Sequence, residues 1–471
     1  MSDVAFRKIQ VGKEATRGTA VPANEKIIGT LTMTPERTQH RPVDDLGSLA
    51  EHSRTVTIGQ KTSAEFRGSL IYQQAMHWLA MSMKGAVEPA SSTAGFAKWD
   101  DNSIFADMPN TIDDTPAEQN FTLFTAAEDK IYVGVVAAKF RGVKFEVGTT
   151  PNAAVSVITT VEVSDGASGW VAATLIKDTT KSAAGASLAQ DGIVEFTIPS
   201  TWASDTVDGN AAFWVRFTWD VNWTANADID EIDTVPLAAV WTYTPNLTTK
   251  NVQDSYTLEF GDDTQGWECP FTLADSFEMS GAGDEAVEAR LSLFGQGASK
   301  VTLTPSIDDL PLATDVVFGD MKVYIDGTWA TLGTTVKSTL VSGFTIGIPS
   351  TGLSPIKTAD GTLNFSLVAE RKRHMEITME MLVGTDAITE FDAWNKAVPD
   401  ARAVRIEFIG PVIDGADTHK LTVDMIGKYT QAPQLFGERE GGNVMSMMLS
   451  SEPDTSNNEM SIVLITDRAA A

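Results

Sequence analysis

The sequence has only one cysteine, Cys269, among 471 residues. Disulfide frameworks need pairs of cysteines and cysteine-based zinc sites need several at set spacing, so both are excluded. No run of 18 apolar residues occurs, and charged residues interrupt the first 14 positions, where a secretory signal needs an unbroken apolar stretch. We therefore expect a buried, unreactive thiol in a protein that is made without a signal peptide and does not interact with membranes.

Positive charge is also scarce. Lys and Arg number 35 against 63 Asp and Glu, which gives a formal net charge of -28, and residues after position 117 account for -26 of it. A surface of this sign repels phosphates, so nucleic-acid binding through general electrostatic attraction is excluded. The hydrophobic fraction of 42% is that of a folded protein and not of a disordered acidic tail.

Catalytic motifs are missing as well. The chain has no phosphate-binding G-x-x-x-x-G-K-[ST] loop, no G-x-G-x-x-G, no H-E-x-x-H and no G-x-S-x-G, and its five histidines are scattered. Carboxylates are too numerous for the sequence to single out a glycosidase pair. An acidic cluster resembles a solvated turn, with a calcium site as the alternative; its members are Asp228, Asp230, Glu231 and Asp233. We predict no catalytic residue, no cofactor and no metal site.

What the sequence does contain is the pattern of a mainly antiparallel β protein, since turn residues separate short runs rich in Thr, Val, Ile and Phe. It also contains an internal repeat. The matched positions are Gly29, Pro35 and Gly47 with Gly343, Pro349 and Gly361 at an offset of 314, and Gly68 and Trp78 with Gly384 and Trp394 at an offset of 316. Each copy reads as a strand, a charged hairpin and a helix: 27–33, 47–67 and 69–83 in the first, and 341–348, 361–383 and 386–397 in the second.

The second copy shows its faces most clearly. Around Glu376 and Glu380, polar residues alternate with Ile and Met, which predicts a strand with one solvated and one packed face. In the following helix, a three-residue spacing predicts an apolar stripe that anchors the core; the residues are Ile388, Phe391 and Trp394. At the hairpin tip lies a basic run that is either a solubilising loop or a source of contacts between subunits; it is Arg371, Lys372 and Arg373.

Residues 118–238 have no counterpart in the second copy and contain five of the eleven tryptophans. Their alternating strands predict an independent, immunoglobulin-like β-sandwich inserted into the first copy. Such an insertion is tolerated at an exposed loop, so we expect it to project from the main body. Some of its tryptophans are candidates for stacking on sugars, with core packing as the alternative; these are Trp170, Trp202 and Trp223.

Several segments resemble a known family. The opening Gly12-x-Glu14-x-x-x-Gly18-Thr19-x-Val21-Pro22 resembles the start of major tail tube proteins of long, non-contractile-tailed bacteriophages, and the second copy looks like the same unit again through Asp360-Gly361-Thr362-Leu363-x-Phe365-Ser366 and Val404-Arg405-Ile406-Glu407-Phe408. The insertion resembles a β-sandwich module of phage virion proteins through Ile131-Tyr132-Val133-Gly134, Gly192-x-Val194-x-Phe196-x-x-Pro199-x-x-Trp202 and Phe213-Trp214-Val215-Arg216.

The resemblance implies a mainly β fold of two tandem tail-tube-type units, each a β-sandwich or half-barrel with one flanking helix, plus the inserted β-sandwich domain. The expected order is a first tube unit (1–117), the insertion (118–238), closing strands of the first unit (239–300), a linker (301–340) and a second tube unit (341–471). In the family, such units join edge to edge into rings that stack into a hollow tube. Six units per ring imply three chains with pseudo-sixfold symmetry; six chains are the second choice.

The function implied is that of a structural virion protein and not an enzyme. It assembles in the host cytoplasm and then forms the virion tail, where it encloses the tape-measure protein, contacts other tail proteins and lets double-stranded DNA pass without specific binding. An acidic channel suits that passage, and Glu376 and Glu380 are the candidate channel-facing residues. The insertion would decorate the outside. The alternatives are a baseplate or surface adhesin that binds host glycans through its tryptophans, and a carbohydrate-active enzyme with an unrecognised acidic site.

Overall fold

The computed structural model describes residues 7–43, 52, 54–85, 89, 91–101, 104–108, 119–121, 129–154, 156–182, 185–220, 227–262, 264–305, 307, 313–415, 417–439 and 441–470. Over these residues the protein is mainly β, with two α-helices, which confirms the predicted fold class. Neither helix is long and apolar enough to cross a lipid bilayer over the part of the chain that is described.

The strands and helices follow one another along the chain in this order. The first part contains β1 (Lys8–Lys13), β2 (Glu25–Lys26), β3 (Thr30–His40), β4 (Val56–Ser69), α1 (Ala75–Ser82), β5 (Ser92–Thr93), β6 (Phe96–Asp101), β7 (Ile104–Asp107), β8 (Gln119–Phe121), β9 (Lys130–Val135), β10 (Phe140–Val147), β11 (Ile158–Ser164), β12 (Trp170–Ala173), β13 (Leu175–Asp178), β14 (Gly192–Phe196), β15 (Asp205–Val207), β16 (Asn210–Trp219), β17 (Ala227–Pro236) and β18 (Ala239–Tyr243). The second part contains β19 (Tyr256–Gly261), β20 (Gly266–Ala282), β21 (Glu288–Gly295), β22 (Ser299–Val301), β23 (Met321–Asp326), β24 (Val341–Ile348), β25 (Leu353–Ile356), β26 (Leu367–Glu370), β27 (Glu376–Leu382), α2 (Thr385–Trp394), β28 (Arg402–Asp414), β29 (Asp417–Tyr429), β30 (Gln434–Arg439), β31 (Gly442–Ser451) and β32 (Met460–Thr466).

The chain divides into two compact units. Unit 1 comprises Met1–Val87, Thr242–Pro411 and Lys420–Leu464, and unit 2 comprises Glu88–Trp241, Val412–His419 and Ile465–Ala471. The predicted insertion was therefore too short. Strands β5 and β6 had been assigned to the first tube unit, yet they pair with β17 and β9 of unit 2. Two short segments from the end of the chain, which the sequence placed in the second tube unit, also belong to unit 2.

Unit 1 contains a long antiparallel run of strands in the order β3, β4, β21, β20, β24, β27, β31, β30. Alternate side chains along these strands are buried, and they are mostly large and apolar. Phe66 is 2% exposed and packs on Trp78 of α1 with ring centroids 4.4 Å apart. Each such side chain contributes about 1.5–3 kcal/mol by leaving water, so this buried face is what holds the sheet to its core.

The repeat is real, but its register differs by one residue from the predicted offset of 314. Leu31 faces Phe66 across β3 and β4. Adding 313 to both numbers gives Phe344 and Met379, which face each other across β24 and β27. All four are buried. An offset of 314 would instead align Leu31 with Thr345, whose side chain lies on the opposite face of the sheet. A one-residue slip moves every side chain of a strand to the other face. The Gly and Pro landmarks, of which Pro35, Gly68 and Gly343 lie within strands, therefore misplaced the alignment of the strands.

The predicted hairpin 361–383 does not form as one element. Strand β26 pairs with β25 in a separate two-stranded sheet, while β27 pairs with β24 and β31. The predicted first-copy hairpin, 47–67, was also wrong: within its described residues it contains one strand, β4, and that strand pairs with β3. Residues 47–51 and 53 of that predicted hairpin lie outside the described residues. The second copy thus has the same two core strands with an extra ribbon, β25–β26, between them.

The segment 301–340 is also more than a linker. It contains β23, which pairs with β28 over six residues. Val323 and Ile325 of β23 are buried, so this strand belongs to the core of unit 1. Sequence reasoning missed it because it is only six residues long and follows a stretch of Asp, Pro and Thr, which reads as a loop.

The two helices differ in their environment. All eight residues of α1 are buried. In α2, the buried residues are Ala387, Glu390 and Ala393, and Ile388 is 53% exposed. The predicted stripe of Ile388, Phe391 and Trp394 is therefore not the core-facing side, which is shifted by one residue. The buried side of α2 thus consists of two small alanines and Glu390. The buried carboxylate of Glu390 is stabilised because it accepts hydrogen bonds from Arg402 Nε at 2.7 Å and from the Tyr429 hydroxyl at 3.0 Å.

Unit 2 is a two-layer β arrangement, as predicted for the insertion. One sheet follows the order β13, β14, β10, β17, β5, and the other β12, β11, β16, β9, β6, β7. Aromatic rings from both sheets share one core. The ring of Phe217 on β16 packs edge to face on Phe145 of β10 and Phe196 of β14, with ring centroids 6.0 and 6.1 Å apart. Such pairs are favoured by the aromatic quadrupole in addition to their burial.

Candidate assembly surface

Within unit 1, a strand pair that we call the seam joins the first repeat copy to the second. Strand β20 of the first copy pairs with β24 of the second over six residues, from Phe277 opposite Ile348 to Ala282 opposite Gly343. Phe277 and Ile348 are 2% and 0% exposed, so the buried face of the sheet runs across the seam without a break. The seam is a copy-to-copy contact made entirely by strand edges.

The strands at the two ends of this run have one unpaired edge each. Among the described residues, β3 pairs with β4 alone and β30 pairs with β31 alone. Thr30, Thr32 and Thr34 of β3 are exposed, and so is Gln434 of β30. Unpaired backbone groups at a sheet edge are a template for adding another strand. Unit 1 therefore presents two open edges, one from each copy.

The solvent-facing side of the same sheet carries most of the charged residues of the run, and we call it the polar face. Its charged members on β3, β4, β20, β21 and β27 are Glu36, Lys61, Glu65, Arg67, Glu278, Glu288, Arg290, Glu376 and Glu380. Backbone pairing sets four of them in one row that crosses the seam, in the order Arg67, Arg290, Glu278, Glu376. The two candidate channel-facing residues thus lie on the polar face, and the predicted alternation of β27 is confirmed by the burial of Ile377, Met379 and Met381.

Several carboxylates of the polar face have basic side chains as partners. Glu380 forms an ion pair with Arg439 of β30, and Glu376 lies 3.0 Å from His374. Glu288 bonds Arg67 at 3.0 Å and Arg290 at 2.9 Å. Six carboxylates thus share the face with three cations on these strands, Lys61, Arg67 and Arg290, and Arg439 reaches over from β30. The face is acidic on balance, but less so than the sequence charge alone suggests.

The basic run is divided between two environments. Arg371 and Lys372 are exposed, but Arg373 donates a hydrogen bond to the carbonyl oxygen of Met83 at 2.6 Å and lies 3.7 Å from Glu370. Burial lowers the pKa of Arg373. Its guanidinium therefore satisfies the end of α1. The prediction of a contact site for other subunits stands for the first two residues only, since Arg373 is occupied within unit 1.

The candidate tryptophans of unit 2 also differ. Trp202 is 2% exposed and packs edge to face on Phe140 at 5.1 Å, which agrees with the core alternative and leaves no ring face for a sugar. Trp170 is half-buried, and the guanidinium of Arg216 lies 4.2 Å from its ring centroid, so one face is covered. Trp223 lies outside the described residues.

The opening motif has a structural explanation that sequence reasoning missed. The Glu14 carboxylate is 6% exposed and accepts four hydrogen bonds. The donors are the backbone N–H of Gly18 at 2.8 Å and of Phe271 at 2.7 Å, and the hydroxyls of Ser255 at 2.7 Å and Thr257 at 3.0 Å. Gly18 has a φ of 78°, a conformation that suits glycine. The motif thus fastens the start of the chain to strands more than 200 residues away.

The remaining candidates for chemistry do not converge. Burial raises the pKa of the Cys269 thiol to about 11, which agrees with the expectation of an unreactive cysteine. The acidic cluster 228–233 lies along strand β17, so its interpretation as a turn was wrong. Within the described part of the chain, no group of three or more His, Cys, Asp or Glu side chains is arranged to hold a metal ion.

Comparison with known proteins adds no identification: no protein-family model matches the chain, and no curated protein matches it either.

Proposed function

We propose that this protein is a structural subunit that assembles edge to edge into rings, and that these rings stack to form the hollow tail tube of a long, non-contractile-tailed bacteriophage. The observation that carries the proposal is the seam. Two copies of one strand arrangement are joined by their edges within the chain, and an unpaired edge remains at each end. A unit that repeats head to tail gives a closed ring when its rotation divides a full turn without a rise along the axis, and closure then pairs every edge.

Ring size follows from the duplication. With six copies around a ring, three chains suffice and give a trimer of pseudo-sixfold symmetry; six chains, with twelve copies, are the second choice. The trimer would carry three times -28, or -84, formal charges. A wall with this sign does not neutralise phosphates, so it gains no counterion-release affinity for a duplex that passes through it.

The polar face is the side we assign to the channel, with Glu376 and Glu380 among the residues that line it. It supports the proposal because it is continuous across the seam and acidic on balance. The tape-measure protein would occupy the same channel before DNA does, and unit 2 would be displayed on the outside of the tube in the virion tail. No catalytic role is part of this proposal.

The glycan-binding adhesin remains the alternative function. Its support is weakened by the burial of Trp202 and by the guanidinium over Trp170. Glycan-array binding by the full-length protein, compared with Trp170→Ala, distinguishes the two: binding that the substitution abolishes would favour an adhesin, whereas an array without signal would leave the tube as the better proposal.

The direct test is sedimentation velocity combined with negative-stain microscopy over a range of protein concentrations. A ring of three chains has a mass of about 152 kDa, three times the 50.6 kDa of one chain. We expect annular particles of this mass with a central channel, and stacks of them at higher concentration. A species that stays at 50.6 kDa at millimolar concentration would refute the proposal.

A further inference from the structure

The seam can be used as a template for a contact between chains, because the strands next to it are equivalent in the two copies. Phe66 pairs with Leu291 of β21, and Met379 pairs with Met447 of β31. Phe66 and Met379 are equivalent positions of the two copies, because their residue numbers differ by the repeat offset of 313. Adding 156 to Leu291 gives Met447, so β21 and β31 occupy the same place in their copies.

The same shift identifies the counterpart of β20. Arg290 of β21 pairs with Glu278 of β20. Adding 156 to Arg290 gives Ser446, which pairs with Gln434 of β30. Strand β30 therefore stands in the second copy where the seam-forming part of β20 stands in the first. Strand β20 is paired on its outer edge with β24, whereas the outer edge of β30 is one of the two open edges.

The partner that fits this edge is the counterpart of β24. Subtracting 313 from residues of β24 gives residues of β3, which is the other open edge. We propose that β3 of one chain pairs antiparallel with β30 of a second copy of this chain, in the register of the seam. The resulting pairs are Thr30 with Arg439, Leu31 with Glu438, Thr32 with Gly437, and Thr34 with Gln434. This inference rests on the proposed ring assembly and names the strands and register of its contact.

Two prolines support the register independently. Pro35 follows Thr34 on β3, and Pro433 precedes Gln434 on β30. In the proposed register these prolines lie opposite each other, in the place taken by Ile348 and Phe277 in the seam. Proline has no backbone N–H to donate and ends strand pairing. On the two outer edges that would meet, pairing would therefore end at the same pair of residues, whereas on its inner edge β3 continues to pair with β4 as far as His40.

The exposed side chains are compatible with the contact. Thr34 and Gln434 are uncharged, and they lie on the polar face, where no apolar packing has to be built. Arg439 would remain next to Glu380, its present partner, because the new strand adds on the outer edge of β30. The added pairing would extend the polar face from one chain to the next without bringing like charges into direct opposition.

The test is a disulfide between two separately encoded chains. Tagged Thr34→Cys and untagged Gln434→Cys chains are co-expressed, oxidised and separated without reductant. Partners in an antiparallel ladder have Cα atoms about 4.5–5.5 Å apart, within the range that a disulfide spans. Cys269 stays in both chains, since it is 2% exposed and its pKa is raised to about 11. We expect a cross-linked dimer that contains one tagged and one untagged chain, at least tenfold above the level in the control.

The matched control replaces Thr34→Cys by Thr30→Cys, which is exposed on the same strand and face but is about 13 Å out of register. Rings that form without the Thr34–Gln434 cross-link, or that cross-link through Thr30→Cys instead, would overturn the register and leave the ring proposal intact. Chains that neither cross-link nor leave the 50.6 kDa species would overturn the ring proposal as well.

Discussion

Replacing Glu14 by Gln tests whether the buried carboxylate fastens the start of the chain to the rest of unit 1. In the wild type, one carboxylate oxygen accepts from Gly18 N and Ser255 Oγ, and the other from Phe271 N and Thr257 Oγ1. In the glutamine variant, one oxygen becomes an NH₂ group. A hydroxyl can turn round and accept from it, but a backbone N–H cannot, so one buried N–H loses its acceptor in either orientation of the amide.

The magnitude follows from two contributions. A buried donor without an acceptor costs about 1–3 kcal/mol, and the bonds that remain change from charge-assisted to neutral at a further cost of about 1 kcal/mol. We therefore expect Glu14→Gln to lower the free energy of unfolding of unit 1 by about 2–4 kcal/mol. Glu14→Ala, which removes every acceptor, should be at least as destabilising.

Urea unfolding followed by tryptophan fluorescence and far-UV circular dichroism measures this effect. The matched control is Glu285→Gln, an exposed carboxylate in the turn between β20 and β21, for which we expect a change within about 0.5 kcal/mol. If Glu14→Gln unfolds at the same urea concentration as Glu285→Gln, then the four hydrogen bonds do not stabilise the fold and the reasoning about the opening motif fails.

Three further predictions concern the core and the buried charges. Phe66→Ala should destabilise unit 1 by about 3–5 kcal/mol, because a ring packed on Trp78 is lost from a site that is 2% exposed; Thr57→Ala on the same strand, which is only half-buried, is the control in urea unfolding. Arg468→Met should destabilise unit 2 by about 3–5 kcal/mol, since it leaves the carboxylate of Glu195, 0% exposed, without its cation at 3.2 Å; a loss below 1 kcal/mol would contradict this. The stability of unit 2 should fall as the pH drops from 7 to 5. Burial lowers the pKa of His419 below its usual 6.5, so the unfolded chain takes up the proton before the folded chain does. In His419→Gln, the urea concentration at the unfolding midpoint should depend less on pH over this range.

The sequence was most informative where the signal was local. The alternation along β27 depends on one strand alone, and each of its buried positions was predicted. Fold class was predictable for the same reason, since turn signals and β-rich runs are short-range features. The two-layer character of the insertion also followed from alternation within single strands.

The sequence was least informative where the decisive partner is far away in the chain. Arg373 looks like part of an exposed basic run, and only its contact with Met83, 290 residues earlier, explains its burial. Strand β6 was assigned to the wrong unit because its partner β9 lies beyond residues that read as loop. The repeat offset was wrong by one because its landmarks were a few isolated glycines and prolines, whereas register is set by pairing between strands. The candidate site depends on that register, so it could be located by sequence only to the level of a strand.

The seam has a consequence for the concentrations at which an assembly can form. A strand junction between separate molecules must overcome the loss of translational and rotational freedom of a whole subunit, whereas a junction within one chain forms during folding at the high effective concentration set by the tether. In the proposed ring, the covalent link between the two copies would make every second junction independent of protein concentration. Only the remaining junctions depend on dilution, so a ring built from this chain has half as many contacts that dilution can separate as a ring of the same size built from single copies.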